Sequence, residues 1–393
     1  MAPSEPIYLD NHATTRVDPR VVEAMLPWFT EAYGNAGSVG HAYGHAAREA
    51  VEQARETIAG AIGARPGEIV FTSGATESNN LAIRGVAERP RRRGDHLVSV
   101  VTEHAAVLEP LERLARGTHR LSLLSVEPHT SSQAGVVDPQ QAAETIDSDT
   151  CLVSVMLANN EIGVIQPLAP LASAAHAVGA LLHTDATQAV GKLPIDVEAL
   201  GVDLMSFSAH KLYGPKGVGA LYVRGRDPIV RLAPLVVGGG QERGRRSGTH
   251  NVPGIVGFAR AVELCTQTLE EERRHLRTLR DRLLAGLVAQ IPDLRMCGPD
   301  PATTARLEGN LNVWIPQVDG ETIMLAAPQV AMSSGAACSS ADPEPSHVLR
   351  ALGLSADEAR CTLRLGVGRF NTMAQIEQAI EAIGDAVHRL RKG

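Results

Sequence analysis

The sequence predicts an α/β chain: a large domain built on a mainly parallel sheet, followed by a smaller C-terminal α+β domain. Three observations predict it. Short apolar runs alternate with helical patterns through the middle of the chain, which reads as βαβ units. After a long helical stretch the order changes and strand-like runs cluster. Polar clusters also follow five of the apolar runs, as expected where ligands bind beyond the carboxyl ends of parallel strands.

In chain order, the apolar runs predict strands at 69–71, 96–101, 152–157, 180–183, 204–207 and 219–223. Helical periodicity predicts helices at 46–62, 77–87, 107–116, 168–178 and 255–290. Strands at 310–315, 330–333 and 362–367 and a closing helix at 374–390 make up the second domain. The boundaries that follow are 15–260 for the large domain and 261–393, with the N-terminal segment 1–14, for the small one. The chain's 393 residues exceed what a single small core organises.

Composition narrows the function classes. With 44% hydrophobic and 21% charged residues the chain is ordinary globular protein, and its net charge of -7 does not favour nucleic acid or an anionic membrane surface. Of the two arginine clusters, Arg89 with Arg91 to Arg93 reads as a solvated loop. No apolar run reaches the ~18–20 residues of a membrane helix, and the N-terminus lacks the pattern of a signal peptide. A cytoplasmic protein is expected.

The five cysteines form no metal-ligand spacing, so no metal site is expected and free thiols in a reducing compartment are. Cys151, Cys265 and Cys361 sit in apolar surroundings and read as inert core thiols. Cys297 lies in the loop-like MCGPD. Cys338 differs: SSGAACSSADPEP is small, polar and proline-bearing, the composition of an exposed mobile loop.

The polar clusters carry the chemistry. The chain has only four lysines, Lys192, Lys211, Lys216 and Lys392, so a Schiff-base lysine has few candidates. Lys211 follows a strand in SFSAHK; Lys192 reads as a turn residue. TSGATES separates a strand from a helix, so Ala75 and Thr76 could present N–H groups to an anion, or the motif could simply cap the helix. Ser208 and His210 could add donors to the same anion. Asp185 and Gln188, three residues apart, would face one way on a helical turn. Asp185 could hold a pyridine nitrogen protonated or serve as an N-cap. His104 could move protons or be structural, and Asn160 could form a turn or contact a ligand. The glycine-rich GGGQERGRRSGT matches no dinucleotide fingerprint. Arg364 suits bidentate pairing with a carboxylate, or a salt bridge between the lobes.

Together these residues resemble the cysteine desulfurases of the class V aminotransferase family, the NifS- and IscS-like group. The resemblance runs from Tyr8-Leu9-Asp10 to Arg369-Phe370-Asn371 and rests on TSGATESNNLAI, TEHAAVL, NNEIGVIQP, HTDATQAVGKLPID, SFSAHKLYGPKG, GGGQERGRRSGT, SSGAACSSADPEPSHVLRALG and LRLGVGRFN. It implies the pyridoxal 5'-phosphate (PLP)-dependent transferase fold type I, a homodimer, and removal of sulfur from L-cysteine as a persulfide on Cys338, with release of L-alanine. Lys211 would carry PLP, and His104 would stack on its ring and transfer protons. Asp185 would pair with the ring nitrogen and Gln188 with the ring oxygen. Ala75, Thr76, Ser208 and His210 would hold the phosphate, with Thr249 from the partner subunit. Asn35, Asn160 and Arg364 would bind substrate.

The implied partner is a sulfur acceptor or iron–sulfur scaffold protein, with iron–sulfur cluster assembly or tRNA thiolation as the destination; Cys338 could ligate a cluster transiently. Neither nucleic acid nor membrane is an expected partner. Ala336 stands where the family usually has serine, Ala209 where many members have glycine, and Asn35-Ala36-Gly37 where Asn-Pro-Ser is usual. Housekeeping members carry a longer tail beyond the last helix, where this chain ends at Gly393. The alternatives are a selenocysteine lyase or other class V enzyme, for which Cys338 would have no role, and a non-catalytic scaffold of the same fold.

Overall fold

The computed structural model describes residues 6–89, 94–302, 305–335 and 345–392. Cys338 and Ala336 lie outside them, as do Arg91 to Arg93.

The chain begins with the short strand β1 (Ile7–Tyr8) and helix α1 (Ala42–Ala61). The alternating part follows: β2 (Ile69–Thr72), α2 (Ala75–Ala87), β3 (His96–Val100), α3 (Ala105–Ala115), β4 (Arg120–Leu124), β5 (Thr150–Ser154), α4 (Leu168–Val178), β6 (Leu181–Asp185), β7 (Leu204–Ser208) and β8 (Gly219–Val223). Its seven strands form one sheet in the order β2-β8-β7-β6-β5-β3-β4. Only β8 runs against its neighbours; the other pairings are parallel. Strands β2, β3, β5, β7 and β8 are buried at every residue, which explains their near-continuous apolar character. Strand β4 escaped prediction because it is an edge strand: its RLSLL sequence is half-exposed and lacks an apolar run.

The long helix expected at 255–290 is two helices, α5 (Val252–Gln267) and α6 (Leu269–Gln290), separated by Thr268 with non-helical backbone angles. The reason is a change of partner. Helix α5 buries Phe258, Val262 and Cys265 in the core around the seven-stranded sheet. Helix α6 buries Leu276, Leu279, Leu283 and Leu287 in a second core.

That second core belongs to an antiparallel sheet of β9 (Arg295–Met296), β10 (Asn310–Trp314), β12 (Ser333–Ser334) and β13 (Thr362–Gly366), covered by the closing helix α7 (Met373–Lys392). The expected strand at 330–333 divides at Met332 into β11 (Val330–Ala331), which pairs with β1, and β12, which pairs with β13. Ile7 and Leu9 thereby enter the second core, while the following residues cross to the first sheet.

Three cysteines are buried, Cys151, Cys265 and Cys297. Burial pushes the Cys265 and Cys297 thiols up to about 12, so both are inert. Cys361 is not the core thiol expected: it caps a short helix and is half-buried.

Candidate active site

All five polar clusters fall at one edge of the sheet, because β2, β3, β5, β6 and β7 point the same way. At the end of β2, Gly74 caps α2 with φ of 153° and no side-chain hydrogen bond. The expectation of an ordinary side-chain cap is therefore not met. The first N–H groups of a helix have no acceptor within it, so those of Ala75 and Thr76 face outward beside a positive helix end. Gly219 allows this approach: a Cβ there would lie 2.7 Å from both Gly74 Cα and the Phe207 carbonyl oxygen. Ser208 is next to this cradle; a Cβ on Gly74 would lie 3.8 Å from its Oγ.

At the end of β6, Asp185 is buried, accepting from Asn79 Nδ2 at 2.7 Å and Thr187 N at 2.9 Å. Behind it, His183 is held between Ser154 Oγ (2.8 Å) and Ser206 Oγ (3.0 Å). Burial lowers its pKa to about 4, so it is neutral. Glu103 is also buried here. Burial, and then the Asp185 charge, push its carboxyl well above the usual range, and its Oε2 has no partner. The two carboxyls are thus treated differently: burial and its neighbour's charge favour the protonated form of Glu103, while Asp185 accepts from two N–H donors.

Lys211 sits on the single turn after β7. Its Nζ donates to the carbonyl oxygens of His12 (2.6 Å) and Ala13 (2.7 Å). Segment 10–15 lies across the site in other ways too. Thr15 N donates to the His210 carbonyl, and Tyr213 N donates to Thr15 Oγ1. Gln188 Nε2 donates to the His12 carbonyl at 2.9 Å. His210 Nδ1 lies 3.1 Å from Thr14 Oγ1, and burial followed by the charges of Lys211, Lys216 and Lys192 lowers its pKa to about 4. Sequence reasoning missed this segment. The signal available was its polar run, NHATT, directly after the apolar start.

His104 caps α3, with Nδ1 accepting from Ala106 N at 3.0 Å and the ring exposed. Asn160 is half-buried in a turn shaped by its neighbour: Asn159 Oδ1 accepts from Glu161 N and Ile162 N. Arg364 reaches the site from the second sheet, its guanidinium bonded to Asp10 Oδ1 (2.9 Å) and Ser333 Oγ (3.0 Å). Its Nε is buried without a partner. The salt bridge present is therefore not the one expected between the lobes: Asp10 lies in the N-terminal segment grouped with the small domain, and it engages only part of the guanidinium.

Both ends of the segment carrying Cys338 converge on this place. Ser346 N donates to the Gly335 carbonyl at 2.8 Å. Ser346 Oγ donates to Glu161 Oε2, and His347 Nε2 lies 2.8 Å from the Glu103 carbonyl. Gly335 continues directly from β12, whose Ser333 pairs with Arg364.

Two expected residues stand apart. Asn35 lies on an exposed loop, its Oδ1 accepting from Gly37 N. Thr249 is exposed on the glycine-rich loop GGGQERGRRSGT. That loop is anchored through Glu242, which pairs with Arg55 at 2.8 Å and accepts from Phe71 N, and through Arg246, which pairs with Glu77 at 2.7 Å. Its arginines are therefore partly spent on carboxylates.

The matches to known proteins agree with this geometry. The family described as Aminotransferase class-V matches residues 7–379. A relative named cysteine desulfurase IscS, from Anaeromyxobacter dehalogenans (strain 2CP-C), is 51% identical over 98% of this chain and 94% of its own length. A solved structure of a NifS-like protein superimposes with a TM-score of 0.89 at 37% identity, covering 98% of this chain and all of that one. Another, described as SspA in complex with cysteine, gives a TM-score of 0.77 at 35% identity over 93% of this chain and all of that one.

Proposed function

We propose, from the premise that this chain belongs to the class-V aminotransferase family and is a cysteine desulfurase with the type I fold, that it transfers the sulfur of L-cysteine to Cys338 with PLP held on Lys211. The observation that carries the reading is one convergence. The Lys211 amine, the Asp185 carboxylate and the open end of α2 share the sheet edge to which both ends of the Cys338 segment are tied.

The residues present fit the cofactor. A helix end without a side-chain cap beside Ser208 suits a phosphate, a buried carboxyl with two N–H donors suits a pyridine nitrogen, and the Lys211 amine follows the neighbouring strand β7. Bound PLP supplies an electron sink for the bonds at the substrate α-carbon. Asp185 would keep the ring nitrogen protonated, and Gln188 would donate to the ring oxygen. Ala75, Thr76, Ser208 and His210 would hold the phosphate, with Thr249 reaching it from a second copy of the chain. Lys211 would carry the cofactor, and its amine would be placed to move the α-proton. His104 would stack on the ring; with Nδ1 occupied by Ala106 N, its Nε2 is the nitrogen left for proton transfer. Arg364 would take the substrate carboxylate, and Asn160 and Asn35 would line the pocket.

The Cys338 thiolate attacks the substrate sulfur. The carbon–sulfur bond breaks, the carbon fragment takes up a proton and leaves as L-alanine, and the persulfide stays on Cys338. We place the enzyme in the cytoplasm as a homodimer that passes sulfur to an acceptor or iron–sulfur scaffold protein. No helix among the described residues is long and apolar enough to cross a membrane. We also propose a two-domain division, with the joint at Thr268 rather than at 260/261, because Ala261, Val262, Leu264 and Cys265 pack in the first core.

The test is incubation with L-cysteine, measuring alanine and enzyme-bound sulfur for the parent and for Cys338→Ser. Full cysteine activity in Cys338→Ser would exclude the persulfide route and favour a selenocysteine lyase.

A further inference from the structure

Behind Gln188 lies a group of polar atoms that the proposed reaction does not use. His12 is buried, with 3% of its surface exposed, and its Nδ1 lies 3.1 Å from Gln188 Oε1. Lys192 Nζ donates to the same oxygen at 2.8 Å. Gln188 Nε2 donates to the His12 carbonyl, which also accepts from Lys211 Nζ. His12 Nε2 is buried without a partner.

The protonation states follow from the chemistry. Burial, then the charges of Lys192 and Arg364, hold His12 well below its ordinary pKa, so it is neutral and has one ring proton. Facing a carbonyl oxygen, that proton sits on Nδ1, which leaves Nε2 as a bare acceptor. An ammonium only donates. The two lone pairs of Gln188 Oε1 are therefore filled by Lys192 and His12. A flipped amide would set its NH2 group against two donors. The amide is locked, with one N–H on the His12 carbonyl and the other free to face the site where Lys211 lies.

Lys192 has its own constraints. Burial, then the charge of Lys211, pull it down to about 7, against Cys265 and Glu272. It also lines a small cavity with His12, Thr15, Tyr213 and Glu272.

We propose that His12 and Lys192 are positioning residues for the cofactor: they fix the Gln188 amide with its NH2 toward the ring oxygen, and the charge that Lys192 carries when protonated strengthens that donor and favours the ionised ring oxygen. This rests on the reading that Gln188 meets the ring oxygen. Removing the charge raises the pKa of the group it stabilised.

The test uses purified holoenzyme and reads two quantities besides turnover: the pH midpoint of the visible cofactor band, and the affinity with which pyridoxal phosphate rebinds. Lys192→Met should raise the midpoint by about one unit and weaken rebinding about tenfold. Lys192→Gln keeps a donor without the charge. It should raise the midpoint while leaving affinity within about twofold, and it serves if the methionine variant does not fold. His12→Leu should shift both quantities in the direction of Lys192→Met. His12→Asn, whose amide N–H replaces Nδ1–H, should restore parent values. In a Gln188→Ala background, Lys192→Met should add nothing.

Parent values for both quantities in Lys192→Met and His12→Leu would overturn the proposal. So would an undiminished Lys192→Met effect in the Gln188→Ala background. A parent protein with no visible band would instead overturn the assignment of the cofactor to Lys211, and this inference with it.

Discussion

The edge of the seven-stranded sheet and the segment 10–15 that crosses it build one site by opposite means. At the sheet edge, His183 has a hydroxyl on each ring nitrogen, and Asp185 is held by a side-chain amide and a backbone N–H. In segment 10–15, His12 has a partner on one nitrogen and none on the other, and the same carbonyl serves both Gln188 and Lys211. A fully bonded wall is rigid and keeps its charges fixed. A wall that shares one acceptor between two donors can exchange them, which would suit the lysine proposed to carry the cofactor. The difference teaches that hydrogen bonds are distributed according to what each wall must do. The sheet holds the Asp185 carboxyl between two donors, and the N-terminal segment offers one carbonyl to both Gln188 and Lys211.

The largest effect tests whether either wall can act without that amine. Lys211→Met should bring alanine formation from L-cysteine down by about 10^4-fold or more, as expected when a covalent attachment point that also transfers a proton is lost. Activity within tenfold of the parent would break the comparison.

The next bears on the outer anchor of the sheet edge. Glu242 and Arg55 form a buried pair with side chains 2% and 8% exposed. Glu242→Gln should cost about 3–5 kcal/mol in urea unfolding, because a buried guanidinium loses its counter-charge. Burial by itself would raise the Glu242 pKa, yet the hydrogen bonds from Arg55 and His250 outweigh it and bring it to about 2. A folded value below the ordinary one means that this stabilisation is complete above roughly pH 5 and disappears as pH falls toward 2. The parent should lose stability through that window and Glu242→Gln should lose less; parallel curves would remove Glu242 as the cause.

The two histidines sharpen the contrast directly. His183→Leu should cost about 2–4 kcal/mol, since Ser154 and Ser206 are both left unpaired in the interior. His12→Asn should cost less than about 1 kcal/mol, because it removes an already unpaired nitrogen and keeps the donor to Gln188. Equal losses in chemical unfolding would mean that the two walls are built alike.

Much of this was legible in the sequence. Buried parallel strands must be apolar throughout and must end in polar loops, so the five clusters from TSGATES to SAHK marked the sheet edge. The scarcity of lysine narrowed the choice to Lys211. The break at Thr268 was not legible, because 255–290 keeps helical composition across it and only the change of packing partner ends one helix and starts the next. Edge strand β4 was missed for want of an apolar run. Lys192 read as a turn residue, which it is; nothing local shows that its amine lies on Gln188.

By itself the sequence determined the alternation of strands and helices and the polar ends of the strands, because each is a matter of local periodicity or composition. The tertiary structure alone decided that His12 would meet Gln188 across 176 residues of chain, that Glu103 would be pushed to its neutral form beside Asp185, and that Arg364 would be partly engaged by Asp10. Such contacts arise where the chain crosses from one sheet to the other, and the charge state of a buried group depends on neighbours that only packing brings within reach.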